Sequence, residues 1–423
     1  MSIEDKTLKE KINGALNNED LQKGLKKSVK NFKTHRKEAL DGLDFKKVQQ
    51  NIKAIKEKNL AILEDNIKLF EKACEKSGIK FLETKGPDDT RNLVYDIISK
   101  HSGKKVVKGK SLVTDEIELN QFLESKGIKS IETDLGEWLI QLAGEKPSHI
   151  TAPAIHMSKE RIANLLNEMF NVNLPPDPKQ ITTFARKKLR QEFIDADVGI
   201  TGANILVAKT GSVIIVTNEG NGRLVSTLPN VHIVITTPEK IVTTMQDATE
   251  ILDILPKSSV GQPISSYVSI ISGPSKTADI EKELVFGVHG PEFVYVILMD
   301  NGRKALLKNN DFNEVLNCIK CGACLGMCPV YQAVGGHVFG RHYIGGVGAV
   351  LTAFIENFDA TEDLAKLCSG CGICKNICPA NIDIPQMVLK LKEYLYANRK
   401  VSLTKEMIVK GLFSNKGIFE TSL

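Results

Sequence analysis

The stretch Cys318-Ile319-Lys320-Cys321-Gly322-Ala323-Cys324-Leu325-Gly326-Met327-Cys328-Pro329 is matched in pattern by Cys368-Ser369-Gly370-Cys371-Gly372-Ile373-Cys374-Lys375-Asn376-Ile377-Cys378-Pro379. Each run reads C-x2-C-x2-C-x3-C-P. Three cysteines two residues apart let one loop aim three thiolates at a common centre, with backbone N–H groups turned toward it. The fourth, ahead of proline, points elsewhere. Gly322 and Gly372 sit where a side chain would crowd that centre or where φ must be positive. Eight of the nine cysteines fall in these runs, the wrong distribution for a secreted disulfide scaffold. Zinc also accepts four thiolates, but zinc motifs rarely repeat four cysteines this tightly with a trailing proline.

The spacing is that of bacterial ferredoxins, in which the fourth cysteine of each run ligates the other cluster. Cys318, Cys321, Cys324 and Cys378 are therefore expected to hold one [4Fe–4S] cluster, and Cys368, Cys371, Cys374 and Cys328 a second. Interleaved ligation forces the clusters close together and leaves no open coordination position, an arrangement suited to wiring rather than catalysis. Lys320 and Lys375 lie beside ligands, where positive charge favours the reduced state. Cys74 stands apart in a Lys- and Glu-rich helical region and reads as a buried, inert core cysteine.

Outward from the cysteine runs, 423 residues are too many for one ordinary core and call for two or three units. Residues 1–80 read as a helical basic arm or layer, with Val48, Ile52, Ile55, Leu60, Leu63 and Ile67 at helical spacing. Residues 81–303 read as an α/β domain on a mainly parallel sheet. Helices are expected around Leu93 to Ile98, Asp115 to Lys126, Leu135 to Leu142 and Ser158 to Phe170, and short strands at Val106-Val107, Ile128 to Glu132 and Ser148 to Thr151. Ile205 to Val216 is the clearest hairpin, Val231 to Thr236 and Val294 to Met299 are buried strands, and Ser272 to Ala278 is an exposed loop. Residues 304–395 form an α-helical ferredoxin-type domain, with a glycine-rich connection at Gly335 to Gly348 and a helix starting near Pro385; residues 396–423 are a short C-terminal tail.

The net charge of +5 is concentrated at one end, because residues 1–60 carry 15 Lys or Arg against 9 Asp or Glu. With its acids interspersed and Phe32 and Phe45 its two aromatics, that end reads as solvated helical surface, with partner docking the functional alternative. No nucleic acid is expected; peripheral membrane contact is compatible with the charge. The charged start and the lack of a long apolar run give a cytoplasmic expectation.

Lys108-Gly109-Lys110-Ser111, Glu132-Thr133-Asp134-Leu135-Gly136-Glu137, Pro147-Ser148-His149-Ile150, Pro153-Ala154-Ile155-His156, Gly199-Ile200-Thr201-Gly202-Ala203-Asn204, Thr217-Asn218-Glu219-Gly220-Asn221-Gly222-Arg223 and Asp300-Asn301-Gly302-Arg303 precede the twin cysteine runs. In these motifs the chain resembles the lactate-utilisation protein B family over roughly residues 60–395. The resemblance implies a lactate-utilisation domain, similar in fold to sugar-phosphate isomerases and CoA transferases, fused to a helical two-cluster ferredoxin domain. It also implies a role as the iron–sulfur subunit of a complex oxidising L-lactate to pyruvate. The implied partners are the other subunits and a further electron acceptor.

The α/β domain offers its own candidates. The loop Asn218 to Arg223 follows a buried strand, where open α/β sheets place ligand sites, and Glu219 with Arg223 suits an acyl or sugar-phosphate substrate. The structural alternative pairs Glu219 with Arg223 to pin a glycine-rich turn. His149, His156 and His289 are candidate bases or ligands, against the commoner locally satisfied histidine. Lys108, Lys110 and Ser111 offer an anion site without matching a phosphate loop, and no dinucleotide fingerprint stands in a strand-to-helix context. Hydroxy-acid oxidation needs a two-electron acceptor, so a partner is expected to perform it for lactate or another 2-hydroxy acid. A redox-sensing nucleic-acid binder is the third reading.

Overall fold

The computed structural model describes residues 6–397. Helices α1 (Leu8–Leu16), α2 (Glu19–Ala39), α3 (Phe45–Ala61) and α4 (Leu63–Ser77) come first. Thr7, Asn18 and Asp44 cap the first three, each side chain accepting a backbone N–H of the first turn. Gly78, at φ 86°, ends the fourth. Helices α1 to α3 reach the cysteine-bearing region, whereas α4 packs its Ile67 and Phe70 into the core beneath the first strand. Gln22 Nε2 donates to the Ala333 carbonyl at 2.8 Å, Arg36 Nη2 to that of Ile377 at 3.0 Å and Gln49 Nε2 to that of Cys378 at 2.8 Å.

Strands follow as β1 (Ile79–Thr84), β2 (Lys105–Lys108), β3 (Lys129–Glu132), β4 (Val198–Thr201), β5 (Ile205–Val207), β6 (Ser212–Thr217), β7 (Val231–Thr236), β8 (Ile241–Val242), β9 (Tyr267–Ile271), β10 (Lys276–Thr277), β11 (Val285–Phe286) and β12 (Phe293–Met299). A six-stranded parallel sheet takes the order β1-β12-β7-β4-β2-β3. A parallel sheet must be covered on both faces. Ile200, Ile233 and Ile297 pack under Ile98 and Ile117 on one face, while Val234, Val296 and Phe70 share a core on the other. The expected hairpin is β5–β6, which joins β8 and β9 in a second sheet of order β8-β5-β6-β9.

Several local expectations differ from what forms. Ser148 to Thr151 is irregular rather than a strand, because its polar groups turn to side chains: Tyr331 Oη donates to the Ser148 carbonyl at 2.9 Å, and His149 Nδ1 accepts the Thr151 N–H at 3.1 Å. The helix expected over Asp115 to Lys126 is two, Leu112–Glu116 and Leu119–Ser125, broken where Glu118 takes φ 49°. Much of the glycine-rich connection is helical, in Pro329–Val338 and Gly345–Ile355. Small residues there admit close neighbours: a Cβ on Gly345 would lie 2.5 Å from the Leu325 side chain. Strand β1 starts at Ile79 and straddles the boundary expected after residue 80. The helices Pro178–Ile194 and Met245–Ser259 had no counterpart in the reading. Of the expected tail, residues 398–423 lie outside the described residues.

Two features position the chemistry. The chain runs from β2 outward to β3 and then returns to β4 on the other side of β2. That reversal leaves a crevice beyond the carboxyl ends of β2 and β4. The second feature is the joint at Asp300-Asn301-Gly302-Arg303. Gly302 holds φ 81°, and a Cβ there would fall 2.7 Å from the Phe354 carbonyl oxygen. Arg303 is buried and bonds Glu116 through Nη2 to Oε2 at 2.6 Å and Nη1 to Oε1 at 3.0 Å. Tyr343 Oη donates to Glu116 Oε2 at 2.7 Å, Asn301 Nδ2 donates to Oε1 at 2.6 Å, and Glu239 Oε2 lies 3.3 Å from Arg303 Nε.

Removing one member of a buried ion pair strands the other charge, at a cost of about 3–5 kcal/mol. Arg303→Ala is expected to lose stability in that range in urea unfolding, whereas truncation of the exposed Lys23 of the Lys23–Glu19 surface pair is expected to leave the unfolding midpoint nearly unchanged. Burial opposes the charge on Glu239, but Arg303, then Lys320 and Lys240, outweigh it and hold its pKa down to about 2. A carboxyl lowered on folding stabilises above its ordinary value of 4.5, and that contribution disappears as pH falls through about 2. Acid titration of unfolding is expected to show this loss between those values, and Arg303→Ala is expected to shrink it.

Candidate iron–sulfur centre and the adjoining cavity

The two cysteine runs fold as near copies. Cys318 and Cys368 have φ/ψ of −64/120° and −67/118°, and Cys328 and Cys378 have −72/120° and −69/119°. Gly322 and Gly372 take φ 76° and 79°, each starting a short helix, Ala323–Met327 and Ile373–Ile377. Lys320 and Gly370 occupy the equivalent position before the second cysteine, at φ 58° and 69°. Backbone N–H groups reach the sulfurs, including Lys320 N to Cys318 Sγ at 3.4 Å. Ala323 and Lys375 supply similar bonds to Cys321 and Cys374.

The sulfurs line two cavities, each drawing on both runs. One is bordered by Cys318, Cys321, Cys324 and Cys378, with Ile319 and Ile382 among its walls. The other is bordered by Cys328, Cys368, Cys371 and Cys374, with Cys324 at the edge between them. Burial, partly offset at Cys321 by the Ala323 N–H, pushes the Cys321 thiol up to about 12, and the charges of Cys378 and Cys318 push the same way. Burial and then Cys368 and Cys328 drive Cys374 up to about 12. Four thiolates so enclosed repel one another unless a cationic core compensates them. A soft, sulfur-only donor set with inward N–H groups fits a [4Fe–4S] cluster in each cavity.

The two sites differ in cover. The first loop lies beneath α2 and the α/β domain: a Cβ on Gly326 would fall 2.5 Å from the Phe32 ring, and one on Gly322 would fall 3.1 Å from Ile150. The second loop faces solvent, with Cys371 exposed and nothing within 4 Å of a Cβ on Gly370 or Gly372. The flanking lysines differ as well. Lys375 pairs with Asp383, which offsets the charge expected to act on the adjacent ligand. Lys320 Nζ lies 4.8 Å from the centre of the Tyr343 ring.

Beyond Tyr343 opens a third cavity, of about 330 Å³, at the crevice between β2 and β4. Lys110, Ser111, Glu219, Lys240 and Lys320 line it, and it shares Leu112, Ile150, Lys320 and Tyr343 with the first cysteine cavity. Glu219 does not pair with Arg223 as the turn-pinning alternative supposed. Its Oε2 accepts the Leu135 N–H at 3.1 Å, while the Arg223 guanidinium lies 5.6 Å from the Tyr267 ring centre. Burial and then the Asp134 charge raise the Glu219 pKa. Lys108 is turned away, buried against Glu132 at 2.7 Å and Asp115 at 3.3 Å. Lys240, which sequence reasoning passed over, is drawn down to about 8 by burial against the opposing charge of Glu239.

The histidines have structural partners. His149 is pressed against the first cysteine loop, and burial drops its pKa to about 3. Its Nδ1 accepts the N–H groups of Thr151 and Ala152, which places the proton on Nε2. His156 Nε2 sits 2.7 Å from Glu145 Oε2, and His289 lies in an exposed loop away from the cavity. Cys74 is fully buried, as expected, and burial lifts its pKa to about 12.

Among the described residues no helix is long and apolar enough to cross a membrane. Residues 67–299 match the LUD domain family, and residues 314–382 match the 4Fe-4S dicluster domain. The chain is 34% identical over 415 residues to lactate utilization protein B of Bacillus cytotoxicus, covering 98% of this chain and 86% of that one. It is 33% identical, with the same coverage, to lactate utilization protein B 2 of Bacillus mycoides. A DUF162 family protein of Deinococcus radiodurans aligns with 56% of this chain and 98% of its own at 16% identity and TM-score 0.29, a likeness too slight to carry argument. With a parallel α/β domain followed by a helical region bearing both cysteine runs, the chain belongs to the lactate utilization protein B family.

Proposed function

We propose that this chain is the iron–sulfur electron-transfer subunit of a multi-protein complex that oxidises L-lactate to pyruvate. Cys318, Cys321, Cys324 and Cys378 hold one [4Fe–4S] cluster, and Cys328, Cys368, Cys371 and Cys374 hold the other. When bound, such clusters accept and release single electrons. The observation that carries this reading is the composition of the cavity walls, which put Cys378 with the first three cysteines of the other run and Cys328 with Cys368, Cys371 and Cys374, Cys324 bordering both. The name of these relatives, lactate utilization protein B, supports lactate as the substrate of the system. The division proposed is a helical layer, an α/β domain to residue 303 and a cluster-bearing domain to residue 395.

The chain's own residues shape the traffic. Phe32, Ile150 and His149 pack over the first cysteine loop, and the exposed loop around Cys371 gives the second site its access to a partner. That contrast supports a path with the first site on the inner side and the second at the docking face.

Anaerobically purified protein is expected to contain about eight irons and eight acid-labile sulfides, and, reduced with dithionite, to show the spin-coupled signal of two neighbouring clusters. Zinc in place of iron, or a single four-iron cluster, would overturn the assignment. Interleaving is tested by Cys378→Ser, expected to cost the cluster shared with Cys318, Cys321 and Cys324 while the other persists. The opposite loss would assign ligands run by run.

The two equivalent glycines are expected to respond unequally. Alanine at a positive φ costs roughly 1–2 kcal/mol at either position. At Gly322 it also meets Ile150 at 3.1 Å, whereas at Gly372 the space is open. Iron analysis is expected to show a deficit in both variants, larger in Gly322→Ala, which adds the Ile150 contact to the backbone cost the two share.

A further inference from the structure

We propose that the crevice between β2 and β4 binds a small hydroxylated organic anion, a carboxylate or a phosphate, on the ammonium groups of Lys110, Lys240 and Lys320. The site stands on the α/β domain with Lys320 added from the first cysteine run, and its coupling to the first cluster rests on the ligand assignment above. The cavity, about 330 Å³, falls within the size of small-molecule sites. It lies at the reversal of strand order, where open parallel sheets bind ligands. Three lysines from separate segments line it, one after β2, one after β7 and one from the first cysteine run.

The polar groups call for a partner. Lys110 Nζ is buried without a hydrogen bond, its nearest carboxylate, Glu137, 3.8 Å away, and Thr217 Oγ1 is likewise buried and unpaired. A buried ammonium lacking a hydrogen-bond acceptor is costly, and an anion head group supplies one. Asp134 and Glu219 add acceptors, which select for a ligand bearing hydroxyl donors, and Leu112 and Leu255 give an apolar wall. The loops are built for close approach. A Cβ on Gly202 would fall 2.7 Å from Ser111 Oγ, and one on Gly222 would fall 2.6 Å from the Thr217 methyl.

The position carries a second consequence. Lys320 and Tyr343 border both this cavity and that of Cys318, Cys321, Cys324 and Cys378. An anion seated on Lys320 neutralises positive charge beside the first cluster, disfavouring its reduced form, and leaves the solvent-facing second site unaffected.

Calorimetric titration of the anaerobic, cluster-loaded protein with L-lactate, glycolate, pyruvate, glycerol phosphate and inorganic phosphate decides the matter. At least one hydroxylated anion is expected to bind, pyruvate more weakly than L-lactate if the head group is a carboxylate, and glycerol phosphate the best if it is a phosphate. Lys240→Ala and Lys110→Ala are each expected to weaken binding about tenfold or more with iron content unchanged. Should either substitution cost folding, Lys240→Met or Lys110→Met, which keeps the chain length and removes the charge, replaces it with the same expectation. Absence of binding by every anion, or binding untouched by these substitutions, overturns the site. A redox titration followed by EPR tests the coupling: the bound anion is expected to move one midpoint potential negative and not the other. Binding without that shift refutes the coupling alone, and neither result depends on the substrate of the complex.

Discussion

The buried pair of Arg303 and Glu116, closed by the hydroxyl of Tyr343, is the constraint to which the rest of the molecule is fitted. Glu116 comes from the α/β domain, Arg303 from the turn where that domain ends, and Tyr343 from the cluster-bearing region. None of the three can leave without stranding the others in a dry interior, so the two domains hold one relative placement. That placement brings Tyr343 and Lys320 to the mouth of the crevice between β2 and β4. Asn301 and Gly302 serve the same joint, one by bonding Glu116 and the other by leaving room for the Phe354 carbonyl.

The cysteine runs carry most of their meaning in sequence because the chemistry is local. Spacing of two residues puts three sulfurs in one loop, and Gly322 and Gly372 take the positive φ that their positions required. The parallel sheet was legible for a similar reason: Val231 to Thr236 and Val294 to Met299 are runs apolar enough to be buried on both sides. What escaped notice depends on distant partners. Lys240 is unremarkable in its own stretch and gains its role from Lys110 and Lys320 across the crevice. Glu219 and Arg223 looked like a pair by proximity, yet Leu135 and Tyr267 lie nearer to their side chains in space. Ser148 to Thr151 has strand composition, but Tyr331, far along the chain, takes its carbonyl.

Near-identical local folding of the two runs ends in unlike surroundings, and the difference lies in neighbours, not ligands. Phe32, His149 and Ile150 close over one loop, and the corresponding face of the other meets water. The pseudo-symmetric pair of loops thereby acquires an inner end beside a polar crevice and an outer end beside solvent.

Helices α1 to α3 also set an order of events during synthesis. Gln22, Arg36 and Gln49 make their bonds to residues 311, 341 and 329 positions downstream. These bonds therefore wait for residues some three hundred positions further along the chain. Contacts of such sequence separation are slow to form and leave apolar surface open meanwhile. The many exposed lysines on the outer faces of α1 and α2 contribute little to the finished packing, and charged surface of that kind favours solubility while such contacts are still unmade.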